Sequence, residues 1–592
     1  MSFHSQVMTN FVVVHESIDK TILSIVGLLL VSLMFWIALD LLGITSPAHI
    51  KGLPLVPSYP ILGSLPLVKR NSFLKYCEWA SKYGEVFQMR LGTKIVIVAN
   101  SFQSIQELWV KNGRANNSRP QSYSFHELLS QSKVYTVGTT PFSETYLRKK
   151  KFLSYSLNKK SIDQRSDVID IETSNTIFPL FEQSLETGTN DFEVLRISQY
   201  FTLRTALIFT YGYFMDTRLE GRKLADEIID VENAITGVRA HTSNWQDYLP
   251  ILRWLSPRRS KEVSELRERR SRYLQKFYEY TRQKLVDVSI HERAAVQDCL
   301  VARVLGSNKG GPASNNLDLD EITSVCLTML SAGLDNTGFN FAYCIGQLSH
   351  DKNIQITGLQ QIKKCYGDNL QMAWNNCAYD MKCDYIKAIV KETLRQYTVL
   401  PVSLPRETTK DISYRGTIIP AGTTMFMNSW AGNHDPKVFK RTHEFIPERF
   451  LNEDLQLLES CEGLTHFSFG AGTRMCTGSY LAFREMYTLL CKFIIAFEIT
   501  LPEDPEMVME RDPVKLNRSP EAIAFEPRPF KVGLRIRDQN LVLKLLDQYT
   551  SEKRFLNRRF TVAQKFESEK TPEQKALDTR IQKKWDAYLH FS

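Results

Sequence analysis

A glycine-rich loop near the C-terminal end of the chain carries a cysteine a few residues before a predicted helix. The loop lies in FSFGAGTRMCTGSYLAFREM, residues 467–486. Its five spaced positions, which fit F-x-x-G-x-R-x-C-x-G, are Phe469, Gly472, Arg474, Cys476 and Gly478. With each residue type used at roughly 5%, five fixed positions would match by chance in about one of several thousand chains of this length. The pattern therefore indicates a dedicated site, whereas a buried structural role suits most of the other cysteines.

The residue types of this loop suit a flat cofactor that carries a metal. Glycines allow a tight loop to pass close beneath such a group. Cys476 precedes a helix that we predict from about 479 to 495, and the dipole at a helix N-terminus favours a thiolate. A thiolate is the axial haem ligand that favours O–O cleavage, and Arg474 can neutralise a haem propionate through charge-assisted hydrogen bonds. The loop predicts haem b, iron protoporphyrin IX, with Cys476 as the ligand of the iron.

A second segment predicts a long buried helix with a single acid. Asp320 could cap a helix over residues 321–350, and between Glu321 and His350 the only charged residue is Asp335. A helix that is apolar on all sides is either buried or spans a membrane, and Ser, Thr, Asn and Gln are too frequent here for a span. A buried lone carboxylate is costly unless it has partners or a function. A hydrogen-bonded core Asp and a functional acid are both open interpretations at this point.

The cysteine loop resembles the signature of the cytochrome P450 superfamily of haem-thiolate monooxygenases. Other motifs in the family's order extend the resemblance over about residues 50–537. Glu392 and Arg395 in KETLRQ are similar to the family's E-x-x-R pair, whose side chains share one face of a helix. In the family this pair joins the arginine of a P-E-R-F element, here Arg449, to brace the core. The resemblance implies a structural role for these three residues and a mainly α fold with a small β portion.

The central helix contains AGLDNT, which resembles the family's A-G-x-D-T-T segment. The resemblance implies that Asp335, with Asn336 or Thr337, relays protons to bound dioxygen. Asn336 replaces the usual threonine, and an asparagine can still donate and accept hydrogen bonds.

The resemblance also implies two propionate ligands outside the cysteine loop. Arg406 follows Pro405 at the matching position, and Arg148 lies in SETYLRKKK, where Glu144 replaces the tryptophan of the family's W-x-x-x-R. The implied cofactor-binding residues are thus Arg148, Arg406, Phe469, Gly472, Arg474, Cys476 and Gly478.

The function implied by the resemblance is insertion of one oxygen atom from O2 into a small organic substrate. Electrons from NADPH would come through a separate cytochrome P450 reductase, because the chain has no recognisable flavin or nicotinamide domain. A weaker resemblance to fungal members that act on aromatic acids and phenols rests on GAGTRMCTGSYLAFREMY and on SYSFHELLS at 122–130. The candidate substrate-pocket residues are Phe125, His126, Leu129, Leu334, Val402 and Leu404.

Two other functions remain open. The same fold could carry out isomerase, dehydratase or peroxide-driven chemistry, which Asn336 makes plausible. Alternatively, the chain could be a non-catalytic haem-binding membrane protein. Nucleic acid is not an expected partner, because a net charge of +9 is modest for 592 residues and the basic stretch 253–276 has interleaved acids.

The N-terminal region predicts a membrane anchor. Residues 21–39 contain no charge and would span ~28 Å as a helix, close to the thickness of a bilayer core. The leader 1–20 carries Glu16 and Asp19, unlike the basic leader of a signal peptide. More Lys and Arg follow the segment than precede it, so we expect a single pass through the endoplasmic reticulum membrane, with a lumenal N-terminus and a cytosolic haem domain.

The remaining boundaries follow from composition and from the extent of the motifs. Four prolines between residues 54 and 66 predict that residues 40–66 form a semi-rigid linker. Residues 67–537 are expected to form the haem domain. The C-terminal extension, 538–592, has no assigned role, although TPEQ at 571–574 predicts the start of a helix.

Overall fold

The computed structural model describes parts of 22–43 and residues 47–549 other than 132, 188–189, 217–218, 241, 256, 287–295, 297, 308–316 and 459–464. The predicted lumenal segment 1–20 and the helix predicted from residue 571 lie outside the described residues.

Helices make up most of the described chain. In chain order they are α1 (Ser72–Tyr83), α2 (Phe102–Ile105), α3 (Glu144–Ser156), α4 (Lys159–Asp163), α5 (Ser166–Thr187), α6 (Val194–Tyr211), α7 (Leu219–Val238), α8 (Ile251–Leu255), α9 (Pro257–Val286), α10 (Leu300–Ser307), α11 (Leu319–His350), α12 (Lys352–Tyr366), α13 (Leu370–Asp380), α14 (Asp384–Gln396), α15 (Ser429–Asn433), α16 (Ser479–Ala496) and α17 (Pro513–Leu516).

The strands form small sheets at the periphery of the helices. They are β1 (Val86–Leu91), β2 (Lys94–Ala99), β3 (Asp191–Phe192), β4 (Arg406–Glu407), β5 (Ile412–Tyr414), β6 (Thr417–Ile419), β7 (Thr424–Met427), β8 (Phe497–Thr500) and β9 (Val532–Ile536). One sheet has the order β1-β2-β7-β4, a second has the order β3-β9-β8, and β5 pairs with β6. Within the first sheet β2 and β7 are parallel, whereas the β1–β2 and β4–β7 pairs are antiparallel. The prediction of a mainly α fold with a small β portion is confirmed.

Helix α11 is the buried centre of the domain and packs along α6. Its N-cap is Asp318, not the predicted Asp320. The Asp318 carboxylate accepts a hydrogen bond from the Glu321 N–H (2.8 Å), and the Glu321 carboxylate accepts one from the Asp318 N–H (3.1 Å). This reciprocal capping box requires the cap to lie three residues before the glutamate, so Asp320 falls inside the first turn.

The proline-rich segment packs on the first sheet, which corrects its prediction as a linker. The Gln88 N–H donates to the Pro54 carbonyl, and the Val56 N–H donates back to the Gln88 carbonyl. Earlier in the chain, Asp40 and Arg90 form a buried two-pronged ion pair with both N–O distances at 2.7 Å. The side-chain amide of Gln88 donates to the Leu53 carbonyl, and the guanidinium of Arg90 donates to Asp40 and to the Ile61 carbonyl. These bonds hold the segment against β1.

The predicted anchor 21–39 is described only in part. Residues 24–28 and 34–40 are helical, and apolar side chains such as Leu28, Val31 and Phe35 are exposed. Among the residues that the structure describes, no helix combines the length and the apolar character needed to cross a bilayer.

The start of the C-terminal extension packs on the haem domain. Residues 539–549 are helical, and Val542 and Leu545 are buried. The Tyr549 hydroxyl donates to Asn175 Oδ1 (2.7 Å), and its ring stacks on Phe178 with the centroids 4.1 Å apart. Residues 539–549 therefore stabilise the domain through contacts with α5.

We expect Leu545→Ala to lower the free energy of unfolding by about 2–3 kcal/mol, because deleting a buried leucine side chain leaves a cavity. Leu543 lies on the exposed side of the same helix. As the matched control, Leu543→Ala should change stability by less than about 0.5 kcal/mol. Urea unfolding followed by circular dichroism measures both changes. Equal effects of the two substitutions would show that this helix does not pack on the domain.

Candidate active site

The cysteine loop is built from backbone hydrogen bonds and ends just before α16. The Cys476 N–H donates to the Phe469 carbonyl (2.9 Å), and the Gly470 N–H donates to the Phe467 carbonyl (2.8 Å). Among the cysteines that the structure describes, only Cys476 is exposed. Partial enclosure of the sulfur raises the pKa of the Cys476 thiol, and a hydrogen bond from the Gly478 N–H lowers it. This cysteine is therefore presented for ligation, with a donor already placed at its sulfur.

Gly472 is required by close packing of the loop. Its φ is +60°, and a Cβ there would lie 1.9 Å from the Trp109 carbonyl oxygen. Trp109 belongs to a π-helical turn, Gln106–Lys111. Any larger residue at position 472 would push the loop away from that turn. At Gly478, by contrast, a Cβ would meet only the Cys476 sulfur and a Leu157 methyl at ordinary contact distances.

Three arginines cluster near this loop, and two of them were predicted. Arg474 donates through Nε to the Asn117 carbonyl (2.8 Å) and stacks on the Tyr146 ring. Arg406 donates to the carbonyls of Asn116 and Ala471.

The third arginine, Arg119, was missed by the sequence analysis. Its Nε donates to the Gly138 carbonyl (2.8 Å), and its Nη1 donates to the carbonyls of Leu404 and Pro405 (2.6 Å each). No sequence signal marks Arg119, because these carbonyls come from distant parts of the chain.

Among the described residues, no acid neutralises this cluster. Burial and the neighbouring Arg474 lower the pKa of Arg406 to about 9, and burial lowers the pKa of Arg474 to about 10. Burial and the charges of Arg406 and Arg474 lower the pKa of Arg119. Both terminal nitrogens of Arg474 are buried without a hydrogen-bond partner, and no described carboxylate pairs with any of the three. Unpaired buried charges are costly, so this cluster is built for an anionic ligand.

The two carboxylates of haem b fit that requirement. Arg119, Arg406 and Arg474 would hold the propionates, and the Cys476 thiolate would bind the iron. The observation that supports this fit is that both terminal nitrogens of Arg474 are buried without a hydrogen-bond partner among the described residues. Phe469, whose carbonyl fixes the Cys476 backbone, is only partly buried at the same loop.

Arg148 is not part of this cluster, which corrects its predicted propionate role. Its Nη2 donates to Glu321 Oε1 (2.5 Å), and its Nε donates to the same oxygen at 3.1 Å. Glu321 is buried at the N-terminus of α11, where its charge requires a cation from the facing α3. The next residue, Lys149, is buried and donates to the hydroxyls of Thr140 (2.8 Å) and Ser324 (2.9 Å).

The E-x-x-R residues form a buried ion-pair network with Arg449. Arg395 donates to both carboxylate oxygens of Glu392 at 2.8 Å, and Arg449 donates to the same oxygens at 3.1 Å. Arg395 also donates to the Asn433 carbonyl (3.0 Å), and Asn433 Oδ1 accepts from the Phe467 N–H (2.6 Å). The network therefore joins α14 to the first residues of the cysteine loop.

Asp335 lies in the middle of α11 and is buried. Its Oδ1 has no hydrogen-bond partner. Burial and the nearby Glu232 raise the pKa of Asp335 to about 8, although Arg239 opposes this. At neutral pH the carboxyl is therefore mostly protonated and can donate a proton.

The residues next to Asp335 have different surroundings. Asn336 Nδ2 donates to the Ala332 carbonyl one turn earlier (3.0 Å), so the amide is engaged by the helix backbone. Thr337 is buried, and α11 is a continuous α-helix through both positions.

A cavity of about 650 Å³ adjoins the arginine cluster and includes Arg119 in its wall. Three of the six predicted pocket residues line it: Phe125, His126 and Leu404. Tyr248 and Phe426 add further aromatic rings, and Lys94 and Arg239 add positive charge. The wall also contains Asp247, whose carboxylate accepts hydrogen bonds from the N–H and the hydroxyl of Ser124.

The other three predicted pocket residues do not line this cavity. Leu129 and Leu334 belong to the main hydrophobic core. Val402 packs with Phe73 and Phe525 in a separate apolar cluster. Arg239, a cavity residue that the sequence analysis missed, follows the end of α7 in a stretch with no motif.

Comparisons with known proteins agree with this geometry. The family model described as cytochrome P450 matches residues 53–533. A phenylacetate 2-hydroxylase of Emericella nidulans is 37% identical over 87% of this chain and 96% of its own length. A 3-hydroxyphenylacetate 6-hydroxylase of the same organism is 33% identical over 83% of this chain and 90% of its own length.

A zebra fish cytochrome P450 solved with abiraterone shares the fold. Its TM-score is 0.61 at 19% identity, and the match covers 79% of this chain and 100% of that structure. The family model, the relatives and the arginine–cysteine site point to one family. The chain belongs to the cytochrome P450 family of haem-thiolate monooxygenases.

Proposed function

We propose that this chain hydroxylates an aromatic compound related to phenylacetate, using O2 and electrons from an NADPH-dependent cytochrome P450 reductase. The observation that carries this proposal is the cavity whose wall shares Arg119 with the propionate-binding cluster. A bound substrate would therefore lie beside the haem. Phe125, Phe426 and Leu404 offer ring-sized apolar contacts, which suits an aryl group. Relatives at 37% and 33% identity are named as hydroxylases of phenylacetate and 3-hydroxyphenylacetate.

The chain supplies binding, orientation and protons, and the cofactor supplies the oxygen chemistry. Haem held by a cysteine thiolate activates O2, so that one oxygen atom can enter the substrate while the other leaves as water. Cys476 would provide the thiolate, and the three arginines, which backbone carbonyls hold in place, would bind the propionates. Asp335 is mostly protonated at neutral pH, and its Oδ1 has no hydrogen-bond partner among the described residues, so the carboxyl is available to donate a proton.

Reconstitution tests this function. The purified full-length chain, in vesicles with a cytochrome P450 reductase, is supplied with NADPH, labelled dioxygen and phenylacetate. The expected product carries one labelled oxygen and requires all three components. Turnover that needs neither reductase nor dioxygen would support isomerase, dehydratase or peroxide-driven chemistry. Haem binding without turnover of any aromatic compound would support a non-catalytic role.

We expect Asp335→Asn to reduce product formation by about 10–100-fold while substrate binding stays within a few-fold, because the amide cannot supply a proton. In the unsubstituted chain the folded pKa of Asp335 is raised to about 8, so the donor form is present below that pH and is lost above it. Product formed per NADPH should therefore fall as the pH rises through about 8. In Asp335→Asn this inflection should disappear. An inflection that persists would assign the titration to another group.

We propose that residues 21–39 anchor the chain in the endoplasmic reticulum membrane with the haem domain in the cytosol. The exposed apolar side chains of Leu28, Val31 and Phe35 support an apolar environment for this segment. Deleting residues 1–39 should move the protein from the microsomal pellet to the supernatant. Retention of the truncated chain in the pellet after a high-salt wash would contradict this anchor.

A further inference from the structure

Arg239 lies on the wall of the substrate cavity and has unused hydrogen-bonding capacity. Its Nη2 donates to the Ser331 hydroxyl (2.9 Å), and its guanidinium lies over the Phe125 ring, 4.9 Å from the centroid. Its Nε is buried without a partner among the described residues. Two neighbours thus fix the guanidinium in place. Nη1 makes no hydrogen bond within the described part of the chain and is not among its fully enclosed atoms, so this nitrogen is available to a ligand.

The charge of Arg239 also lacks an ion-pair partner in the part of the chain that the structure describes. Two acids, Glu232 and Asp335, act on the charge of Arg239. Glu232 is already committed, because Arg270 donates to both of its carboxylate oxygens at 3.0 and 2.9 Å, and burial keeps Asp335 mostly protonated at neutral pH. The hydroxyls of Tyr273 and Ser331 each donate to the same carboxylate at 2.6 Å. No described carboxylate forms an ion pair with Arg239. Arg270 and Glu232 therefore form a buried ion pair, and Arg239 lies beside it as an additional positive charge.

The other cations of the cavity wall are less suited to bind a ligand. Arg119 already donates to three carbonyls and belongs to the propionate-binding cluster. Lys94 lies at the start of β2 and is half-buried like Arg239, but no hydrogen bond to a described residue fixes the position of its ammonium. Arg239 is thus the cavity cation that combines partial burial, a fixed position and a free donor.

We propose that Arg239 binds the carboxylate of an aromatic acid substrate and thereby sets the specificity of the cavity for acids. This inference rests on the proposed aromatic hydroxylation. Arg239 offers a charge-assisted hydrogen bond to the carboxylate, and Phe125 packs beneath the guanidinium. Ser331, which positions Arg239, lies one helical turn before Asp335 on α11. The acid group would then be held beside the helix that carries the proton donor.

Ligand-induced shifts of the haem spectrum test this assignment in the full-length holoprotein. Phenylacetate is compared with phenylacetamide, which has a similar shape but no charge. The variants are Arg239→Met, which keeps an apolar stem, Arg239→Lys, which keeps the charge, and Lys94→Met, which removes a different cavity charge. The ferrous-CO spectrum of each variant confirms that the haem site has folded.

We expect Arg239→Met to weaken phenylacetate binding about 30–100-fold, because a hydrogen-bonded ion pair in a partly desolvated site is lost. Phenylacetamide binding should change by less than about threefold. Arg239→Lys should give an intermediate loss for the acid, since the ammonium cannot reproduce the planar fork. Lys94→Met should weaken binding of the acid by less than about threefold.

The outcomes separate the two proposals. If Arg239→Met weakens acid and amide equally, or Lys94→Met matches it, Arg239 does not recognise the carboxylate. If the unsubstituted protein binds and hydroxylates the amide as well as the acid, selectivity for acids is overturned while aromatic hydroxylation stands. If it neither binds nor hydroxylates either compound, both proposals fall.

Discussion

Cys476→Ala is expected to abolish both the ferrous-CO absorption of thiolate-ligated haem and all oxygenation. The cysteine backbone is held by its N–H bond to the Phe469 carbonyl, which the substitution leaves intact. The sulfur accepts only a weak hydrogen bond from the Gly478 N–H, so the loop should keep its conformation. Far-ultraviolet circular dichroism should therefore show a helical content close to that of the unsubstituted chain.

Two controls make this result specific. Cys365→Ala changes a half-buried cysteine on α12 and should leave the CO spectrum unchanged. If Arg119, Arg406 and Arg474 still bind the cofactor in Cys476→Ala, added imidazole should bind the iron. The spectrum should then be that of nitrogen-ligated haem. A thiolate-type CO spectrum retained in Cys476→Ala would assign the iron to another ligand.

Arg395→Leu is expected to destabilise the folded chain by about 3–5 kcal/mol, because it leaves a buried glutamate with one cationic partner instead of two. Both Glu392 and Arg395 are completely buried. The substitution also leaves the carbonyls of Asn433 and Thr442 without their Arg395 donor, and unsatisfied buried acceptors add to the loss. Because Asn433 also binds the first residues of the cysteine loop, we expect reduced haem retention together with reduced stability.

The matched control is an exposed ion pair with the same sequence spacing. Arg441 and Glu444 pair at i,i+3, but their side chains are 66% and 54% exposed. Arg441→Leu should therefore change the free energy of unfolding by less than about 1 kcal/mol. Urea unfolding of the holoproteins, with the haem spectrum recorded in parallel, compares both variants. Similar small effects would show that the buried network does not brace the core.

Local sequence patterns predicted the parts of the site whose partners are close in the chain. Glu392 and Arg395 meet because i and i+3 share one helix face. Arg449, 57 residues from Glu392, was predicted from the family's P-E-R-F element instead. The cysteine loop was predictable because the backbone hydrogen bonds that shape it, such as the one from the Cys476 N–H to the Phe469 carbonyl, join residues of one short segment. The N-cap was misassigned by two residues. Asp318, Asp320 and Glu321 lie within four positions, and only the hydrogen-bond geometry shows which of them caps the helix.

Long-range partners account for the failures. Arg148 was assigned to a propionate by its motif, yet its actual partner, Glu321, lies 173 residues away. Arg119 was missed because it is held by the Leu404 carbonyl, 285 residues away. In both cases the side chain's role is decided by which distant segment packs against it, and no periodicity in the sequence encodes that choice.

The cavity beside Arg119 shows a similar contrast between neighbouring residues of one segment. Phe125, His126 and Leu129 lie in a π-helical turn, Tyr123–Leu129, in which one residue is added to each helical repeat. Phe125 and His126 line the cavity, whereas Leu129 packs into the core. The segment chosen from the sequence lines part of the cavity, but which of its residues do so depends on a helical geometry that the sequence alone does not specify.

The three clustered arginines have a consequence for the cellular abundance of the protein. Their mutual repulsion means that the polypeptide folded without an anion carries an electrostatic penalty, which two carboxylates remove. A ligand that binds only the folded state stabilises it by mass action. Newly made chains should therefore persist when haem is abundant and be degraded by proteases when it is scarce. The cell's haem supply would then set the steady-state level of this enzyme alongside the rate of its synthesis.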